Sequence, residues 1–245
     1  MKKITFAIFA FIIFTSTFTS CDTEAIDSAI DVSNPENPAI PGGGGTPSGD
    51  YWPTAINNQW TYTQNGTAQP PMKMISTEVF NGKTYYKFAP LTGGGTGTTA
   101  SATTWLNKNN GSYTLKMGDI NIGVPGMSGT QTGYEYVILK DNIAVDETWT
   151  GTYTQNTTYA GLPPITQTTN YTGKILAKNV TETVDGETYT NVIKININQQ
   201  TVVEGMSLSI SNTEYWYAKD VGVIKNKIYT GDGTYESILV NYILN

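Results

Sequence analysis

Apolar and polar residues alternate along much of the chain after residue 50, and the alternation has the period of a β-strand. The clearest case is Ile193, Ile195 and Ile197, which are separated by Lys194 and Asn196. Successive side chains on a strand point to opposite faces, so this pattern predicts one buried and one solvated face. Similar runs predict strands at 60–64, 73–80, 83–89, 103–108, 112–116, 134–139, 147–155, 168–178, 182–184, 187–198, 206–217, 221–229 and 234–244.

Short turn sequences separate many of these runs. Asn81-Gly82 and Asp185-Gly186 are the strongest local signal for a two-residue hairpin turn, because both residues adopt positive φ readily. Asn109-Asn110-Gly111 and Gly231-Asp232-Gly233 have the composition of turns as well. These pairs predict that strands neighbouring in sequence also neighbour each other in the sheet.

Three Gly- and Thr-rich stretches, 92–101, 118–133 and 156–164, are predicted to be loops. No segment keeps a helical period over several turns. We therefore predict an all-β fold, an antiparallel sheet curled as a half-barrel or packed as a sandwich.

A faint internal echo accompanies the strand pattern. The sequence WTYTQN at 60–65 is matched by WT at 149–150 and YTQN at 153–156, and GKTY at 82–85 is matched by GETY at 186–189. Two similar units packed as one domain would leave this pattern. A composition biased to Thr and Tyr would leave it too.

The first twenty residues have a different pattern. Lys2 and Lys3 precede an apolar run at 4–14, and small polar residues follow it. The run is shorter than the ~20 residues that a helix needs to cross a bilayer. We therefore predict a signal peptide over 1–20 that is removed after export.

Phe18, Thr19 and Ser20 stand directly before Cys21, and this arrangement resembles the lipobox of bacterial lipoproteins. The resemblance implies cleavage before Cys21, attachment of diacylglycerol to its thiol and acylation of the new N-terminus. Phe18 departs from the usual Leu. Each buried methylene contributes ~0.8 kcal/mol, so several acyl chains would hold the protein on a membrane. The alternative is an ordinary cysteine behind a plain secretory signal.

Residues 21–49 are predicted to form a lipidated cysteine with a disordered tether, because they are rich in Pro, Ser, Asp and Gly and offer little to bury. Asp22, Glu24 and Asp27 resemble the export signal of surface lipoproteins in Bacteroidota. This implies an outer-membrane protein exposed at the cell surface. The alternatives are attachment on the periplasmic side or a solvated linker. Residues 50–245 are predicted to form the β domain.

The amino-acid composition excludes several classes of catalytic and binding site. The 245 residues contain one Cys, no His and no Arg, and removal of Lys2 and Lys3 leaves 12 basic against 20 acidic residues. Such a chain lacks the basic stripe of a nucleic-acid-binding protein. It cannot build a Ser-His-Asp triad, a Cys-His pair or a common zinc site. We expect a non-enzymatic protein with no cofactor and no metal.

Two aromatic stretches bracket the predicted β domain, YWP at 51–53 with NQWTY at 58–62, and YWYAKDVGVIK at 215–225. Together they resemble a broad group of uncharacterised lipoproteins common in Bacteroidota, whose fold is similar to the half-barrel of lipoprotein carriers. The group has no settled activity, so the resemblance implies no catalytic residue. Within the second stretch, Asp220 favours a turn and Gly222 predicts a bulge or a close approach of backbone.

The aromatic residues are candidates for two roles. Trp60, Trp149 and Trp216 are predicted to lie in the core. Five other rings are candidates for an exposed surface on which a ligand stacks, although ordinary cross-strand pairs are the simpler explanation for them. They are Trp52, Tyr85, Tyr86, Trp105 and Tyr113.

These patterns favour a lipid-anchored binding or structural module of the cell envelope and leave its ligand open. A glycan-binding accessory lipoprotein would present exposed coplanar rings. A carrier of apolar ligands would enclose a cavity lined by aliphatic side chains. A hydrolase would need two carboxylates roughly 5–9.5 Å apart in a cleft, and the acidic residues of the sequence are scattered.

Overall fold

The computed structural model describes residues 45–93, 99–124, 127–203, 209–231 and 233–245. These residues form seventeen β-strands, and none of them lies in a helix. Accordingly, the described part of the chain holds no helix of the length and apolarity that crossing a bilayer requires. The all-β prediction is confirmed. The predicted signal peptide, Cys21 and most of the predicted tether lie outside the described residues.

The first half of the chain contributes strands β1 (Gln59–Gln64), β2 (Thr67–Ala68), β3 (Met72–Phe80), β4 (Lys83–Phe88), β5 (Leu91–Gly93), β6 (Thr99–Ala102), β7 (Thr104–Asn109), β8 (Ser112–Met117), β9 (Ile120–Val124), β10 (Met127–Gln131) and β11 (Tyr134–Lys140). The second half contributes β12 (Thr148–Tyr159), β13 (Ile165–Val184), β14 (Glu187–Val203), β15 (Ser209–Ala218), β16 (Gly222–Thr230) and β17 (Gly233–Ile243).

The strands form one curled antiparallel sheet. From β12 to β17 each strand pairs with the next, and β17 then pairs with β1. The sheet continues from β1 to β3 and then into four bent strands that pair with one another in turn. Each bent strand consists of two segments that are consecutive in sequence, β4–β5, β6–β7, β8–β9 and β10–β11. β10 pairs with β12, whereas no register pairing joins β11 to β12 among the described residues. We call this unpaired gap the seam, and along it the sheet is not closed into a barrel.

Three of the four predicted hairpin turns are present where the sequence places them, and Asp232 of the fourth lies outside the described residues. Asn81 and Gly82 have φ values of 51° and 76°, Asn110 and Gly111 of 48° and 78°, and Asp185 and Gly186 of 50° and 80°. Positive φ at both central residues is the backbone of the turn that matches the twist of a hairpin.

Two of the predicted loops are wrong. Strands β5 and β6 begin and end the stretch 92–101, whose residues 94–98 lie outside the described residues, and β9 and β10 occupy most of 118–133. These segments are rich in glycine, but β5 pairs with β6, and β6, β9 and β10 each have strand partners on both sides whose hydrogen bonds hold them extended. Tertiary pairing therefore overrides their weak strand propensity. The third predicted loop, 156–164, begins only after β12 ends at Tyr159.

The sheet has two distinct ends. We call the end with the turns at 110–111, 141–147 and 219–221 the capped end, because the segment 45–58 is bonded there. The Gly45 amide donates to the Asn142 carbonyl at 2.9 Å, and the Asp220 amide donates to the Asp50 carbonyl. We call the opposite end, with the turns at 65–66 and 160–164, the rim end.

The main core lies on the inner face of the sheet near the capped end. Tyr51, Trp60 and Trp149 are buried there together with Ile193 and Ile195 of β14. The core positions of Trp60 and Trp149 were predicted. Both indole Nε1–H groups donate to backbone carbonyls, at 2.7 Å and 2.9 Å respectively. A smaller cluster of Ala102, Met117, Ile120 and Ile122 lies beyond the kink between β8 and β9.

Trp216 was also predicted to lie in the core, but it is not buried there as Trp60 and Trp149 are. It is half-buried and alternates with buried Tyr215 and Tyr217, so its ring lies on the outer face of β15. Lys194 and Lys225, its register partners on β14 and β16, place their Nζ atoms 3.9 Å and 4.8 Å from the ring centroid. These contacts are cation–π interactions.

The sequence echo falls on equivalent parts of the sheet. Trp60 and Trp149 stand on strands β1 and β12, and each of these strands pairs with the first strand of a hairpin. The matched GKTY and GETY sequences lie at the turns of those hairpins, β3–β4 and β13–β14. Duplication of one unit stays a prediction.

Candidate functional site

Neutral polar side chains line the inner face of the sheet towards the rim end. On β14 the inward positions change from Ile193, Ile195 and Ile197 to Gln199 and Thr201 as the strand leaves the capped end. The same change occurs on the neighbouring strands. Eight buried members form what we call the polar belt, Gln64, Gln155, Thr157, Thr169, Ser211, Thr213, Asn226 and Ser237.

Part of the polar belt is satisfied by hydrogen bonds across the strands. The hydroxyls of Thr169 and Thr201 are 2.8 Å apart, and Gln131 donates to the hydroxyl of Thr157 at 3.0 Å. The side-chain Nε2 of Gln167 donates to the side-chain Oε1 of Gln155 at 3.1 Å. These bonds offset the cost of removing the groups from water.

Three neighbours in the polar belt are not satisfied. Gln64, Ser237 and Asn226 stand side by side on β1, β17 and β16, because the register pairs Gln64 with Ser237 and Ser237 with Asn226. Their exposed fractions are 2%, 1% and 2%. Gln64 Oε1, Ser237 Oγ and Asn226 Oδ1 have no hydrogen-bond partner among the described residues. Each such buried group costs roughly 1–3 kcal/mol. We call these three residues the acceptor row.

A group of tyrosines adjoins the polar belt and faces the seam. Tyr134 and Tyr153 stack with ring centroids 4.4 Å apart and planes 14° apart. Tyr136 meets Tyr171 edge to face at 5.6 Å, and Tyr215 stacks on Tyr217 at 5.9 Å. We call the six rings the tyrosine cluster, Tyr134, Tyr136, Tyr153, Tyr171, Tyr215 and Tyr217.

Burial keeps the phenols of the tyrosine cluster neutral. It raises the pKa of Tyr153 and of Tyr215 to about 12, and it raises the pKa values of Tyr134, Tyr136 and Tyr217 well above 10. The cause is desolvation, which penalises the phenolate form. The hydroxyl of Tyr217 has no hydrogen-bond partner among the described residues.

Side chains bridge the seam where the backbones of β11 and β12 do not pair. The Trp149 indole donates to the Val137 carbonyl at 2.9 Å, and the Val137 amide donates to the Tyr171 hydroxyl at 3.2 Å. These two bonds satisfy both backbone groups of Val137, which a strand partner would otherwise satisfy.

The interior of the sheet holds little charge. Asp141, at the capped end, is the one buried charged residue among the described residues. Its Oδ1 accepts from the Ser48 amide at 3.4 Å, and its Oδ2 lies 3.3 Å from the Tyr113 hydroxyl. Desolvation raises the pKa of its carboxyl. No cluster of three or more His, Cys, Asp or Glu suited to a metal ion occurs in the described ranges.

The five predicted stacking residues do not share one surface. Trp52 and Tyr113 are buried in the main core, with 4% and 3% of their surface exposed. Tyr86 is half-buried and packs against the main core. Tyr85 and Trp105 lie together on the other face of the sheet, outside that core. A ligand-stacking role for any of the five stays a prediction.

Tyr85 and Trp105 belong to an aromatic group on the outer face. Phe80 meets both rings edge to face with centroids 5.4 Å away. The Tyr85 hydroxyl donates to Glu135 at 2.9 Å, and the Trp105 indole donates to Glu78 at 2.9 Å. Burial, together with the hydrogen bond to Glu135, raises the pKa of Tyr85 to about 12. Neighbouring side chains therefore already engage the polar atoms of these two rings.

The polar belt and the acceptor row were missed by reasoning from the sequence. A signal was present in the inward positions, where Ser211 and Thr213 precede Tyr215 and Tyr217 at the same two-residue spacing. Without knowledge of the strand pairing, small polar residues at these positions are predicted to face solvent. The burial of Gln64 depends on its pairing with β17, some 170 residues later in the chain.

Comparison with known proteins supports the fold. A structure of a candidate lipoprotein from Parabacteroides distasonis aligns with a TM-score of 0.52 at 10% identity, over 80% of this chain and 99% of that chain. A candidate exported protein from Bacteroides fragilis, described as having a YmcC-like fold, aligns with a TM-score of 0.42 at 9% identity, over 80% and 100%. No family model matches the sequence, and no curated protein matches it.

Proposed function

We propose that this chain is a lipid-anchored lipoprotein of the bacterial cell envelope whose β domain binds a ligand and does not catalyse a reaction. The observation that carries the anchor is Cys21, the single cysteine of the sequence, directly behind a signal-like segment. The fold supports the proposal, because it is shared with a protein described as a candidate lipoprotein.

Metabolic labelling tests the anchor. Cells that express the full-length chain are grown with a radiolabelled fatty acid, and label in the protein is measured after electrophoresis. We expect label in the wild type and none in Cys21→Ser. A matched control restores a thiol elsewhere, with Ser28→Cys added to Cys21→Ser, and it should stay unlabelled because the thiol no longer follows the cleavage site. Label in Cys21→Ser would contradict the anchor.

The acidic residues behind Cys21 support attachment at the outer membrane with the domain at the cell surface. Asp22, Glu24 and Asp27 carry this part of the proposal. Protease treatment of intact cells should degrade the wild-type domain. Replacement of all three residues by Ala should protect it without reducing fatty-acid labelling. Protection of the wild type would place the domain on the periplasmic side.

The binding role rests on the interior of the sheet. The polar belt and the tyrosine cluster place hydrogen-bonding groups and ring surfaces inside the fold, without charge. If the sheet admits a ligand, these groups suit a neutral polar molecule better than an acyl chain, for which aliphatic walls would be needed. Native mass spectrometry of full-length protein purified gently from the envelope should show a co-purifying small mass. A clean mass of the protein alone would count against the binding role.

A further inference from the structure

We propose that residues 26–32, which lie outside the described residues, add a strand to β3 at the capped end. The inference concerns a docking surface on the outside of the sheet and does not depend on the binding role proposed above. It replaces part of the predicted disordered tether by a strand.

The second half of β3 has a strand partner on one side only. Near its start β3 pairs with β1, and Met74 makes the last backbone bonds on that side, to Asn57 and Asn58. From Ser76 to Phe80, β3 pairs with β4 and with no other strand among the described residues. We call 76–80 the free edge. It lies at the capped end, because β3 is antiparallel to β1 and β1 leads away from that end.

The two-residue turn that joins β3 to β4 fixes which backbone groups point to the open side. In such a hairpin the residues that flank the turn, Phe80 and Lys83, exchange hydrogen bonds, and bonded and non-bonded pairs then alternate. Thr77 and Val79 therefore fall in non-bonded pairs, and their N–H and C=O groups point away from β4. Neither residue has another backbone partner in the described chain. An added strand could bond to both.

The free edge lacks the usual protection of an edge strand. Thr77 is exposed, and 67% of the Val79 surface is accessible, the largest fraction for a large hydrophobic residue in the described chain. Proteins commonly protect such edges with lysine, proline or an irregular backbone. The one charged residue of the free edge, Glu78, is already paired with Lys87 at 2.7 Å. The free edge is therefore a ready template for a further strand.

The two faces beside the free edge differ in polarity and charge. On the inner face, Tyr86 is the register partner of Thr77 and packs against the main core. The outer face carries more lysines than glutamates, Lys83, Lys87 and Lys116 against Glu78 and Glu135. An added strand would therefore meet apolar side chains on one face and a net positive charge on the other.

Residues 26–32 have the matching alternation. In an extended segment Ile26, Ile30 and Val32 fall on one side, and Asp27 and Asp31 fall on the other. The apolar side suits the inner face beside Val79, and the two aspartates suit the lysines of the outer face. The stretch 33–44 contains three prolines, which cannot donate to a strand ladder, so it suits a linker instead.

This linker is long enough to reach the free edge. Gly45 bonds to Asn142, which follows β11, and β11 is four pairing steps from β3, through β8, β7 and β4. At about 4.8 Å for each step the separation is roughly 19 Å. The residues 33–44 span up to roughly 40 Å when extended. A segment on a short linker acts at a millimolar effective concentration, which favours it over a second copy of the chain.

A strand at 26–32 would also set the distance between the fold and the proposed anchor. Only residues 22–25 would remain free behind Cys21. Such a short stretch spans about 13 Å when extended, so the capped end would be held close to the membrane. This consequence rests on the proposed anchor, whereas the strand itself does not.

Hydrogen exchange of the full-length mature protein in detergent solution tests the inference. Exchange is measured by mass spectrometry with residue-level fragmentation at the amides of Thr77 and Val79, which we call the edge amides. The measurement is repeated at two protein concentrations tenfold apart. Thermal unfolding of each variant checks that the β domain is folded.

The test variant is the double substitution Ala29→Pro with Ile30→Pro. Successive amides of a strand point in opposite directions, so one of the two removed N–H groups must face β3 in either orientation of the segment. The matched control is Gly42→Pro with Gly43→Pro, which places the same change in the linker.

We expect the edge amides to exchange about tenfold or more slowly in the wild type and the control than in the test variant. Fast exchange in all three proteins would show that the free edge is open and would overturn the inference. Slow exchange that the test variant leaves unchanged would also overturn it, because residues 26–32 would not be the cover. Protection that increases with protein concentration would assign the free edge to a second copy of the chain instead.

Discussion

Gly222 shows how one residue position can be fixed by its surroundings. It has a φ of 117°, and β15 and β16 shift register beside it, between Trp216 and Tyr217. A Cβ atom at this position would lie 3.1 Å from Trp60 Nε1. That nitrogen is held in place by its bond to the Val221 carbonyl. The close approach expected from the sequence is therefore confirmed, and its partner is Trp60.

Gly222→Ala is expected to lower the free energy of unfolding by about 1–3 kcal/mol, because it combines backbone strain with a contact that Trp60 cannot relieve. Urea denaturation followed by tryptophan fluorescence measures the effect. Gly231→Ala is the matched control. A Cβ there meets no heavy atom of the described residues within 4 Å, so its effect should stay within about 0.5 kcal/mol. Equal losses in the two variants would contradict this account.

Asp141 makes stability depend on pH. Its pKa in the folded protein is raised by desolvation, whereas an aspartate in an unfolded chain titrates near 3.9. Between these two values the folded state binds more protons than the unfolded state. The contribution of Asp141 to stability therefore falls as pH rises through that window.

Comparison of the wild type with Asp141→Asn isolates this contribution, because the variant has nearly the same shape and does not titrate there. Melting temperatures are measured from pH 3 to pH 7. The difference, wild type minus variant, should become less favourable to the wild type as pH rises. A difference that stays constant, or that grows with pH, would show that the folded-state pKa is not raised.

At the scale of elements, the seam is where side chains replace backbone pairing. Tyr171→Phe removes the hydroxyl that accepts from the Val137 amide. We expect a loss of about 1–2 kcal/mol and faster hydrogen exchange at that amide. Tyr153→Phe, which breaks a bond to Gln199 instead, is the control and should leave exchange at Val137 unchanged. Equal exchange in both variants would mean that the Tyr171 hydroxyl does not protect the seam.

The strands and turns also show which parts of the fold can be predicted from the sequence. Asn-Gly and Asp-Gly turns are local, and alternation within a strand is local, so the hairpins β3–β4, β7–β8 and β13–β14 were predictable. β9 and β10 were not predictable, because glycine-rich strands gain their stability from neighbours that lie elsewhere in the chain. For the same reason, the acceptor row could not be predicted from the sequence. Gln64 and Asn226 become inner neighbours only when β17 joins β1 to β16.

At the scale of the whole molecule, the tyrosine cluster predicts how the protein responds to alkali. Phenols in an unfolded chain ionise near pH 10, and those of Tyr134, Tyr136 and Tyr217 have pKa values well above this in the folded protein. The folded state therefore keeps protons that the unfolded state releases, and stability falls as pH rises above about 10.

A base titration checks this expectation. Tyrosinate absorbance and circular dichroism are followed together from pH 8 to pH 13. The buried phenols should ionise in the same step in which the β-sheet signal is lost, while exposed tyrosines ionise earlier. Full ionisation of all sixteen tyrosines with the sheet intact would contradict the burial of the cluster.

The bonds of the segment 45–58 also give the molecule a direction. Gly45, Ser48 and Asp50 are fixed to the capped end by their contacts with Asn142, Asp141 and Asp220. The chain that leads back to Cys21 must leave from this end. A lipid anchor at Cys21 would therefore attach the molecule by its capped end, and the polar belt, which lies towards the rim end, would be the part of the inner face farther from the attachment point.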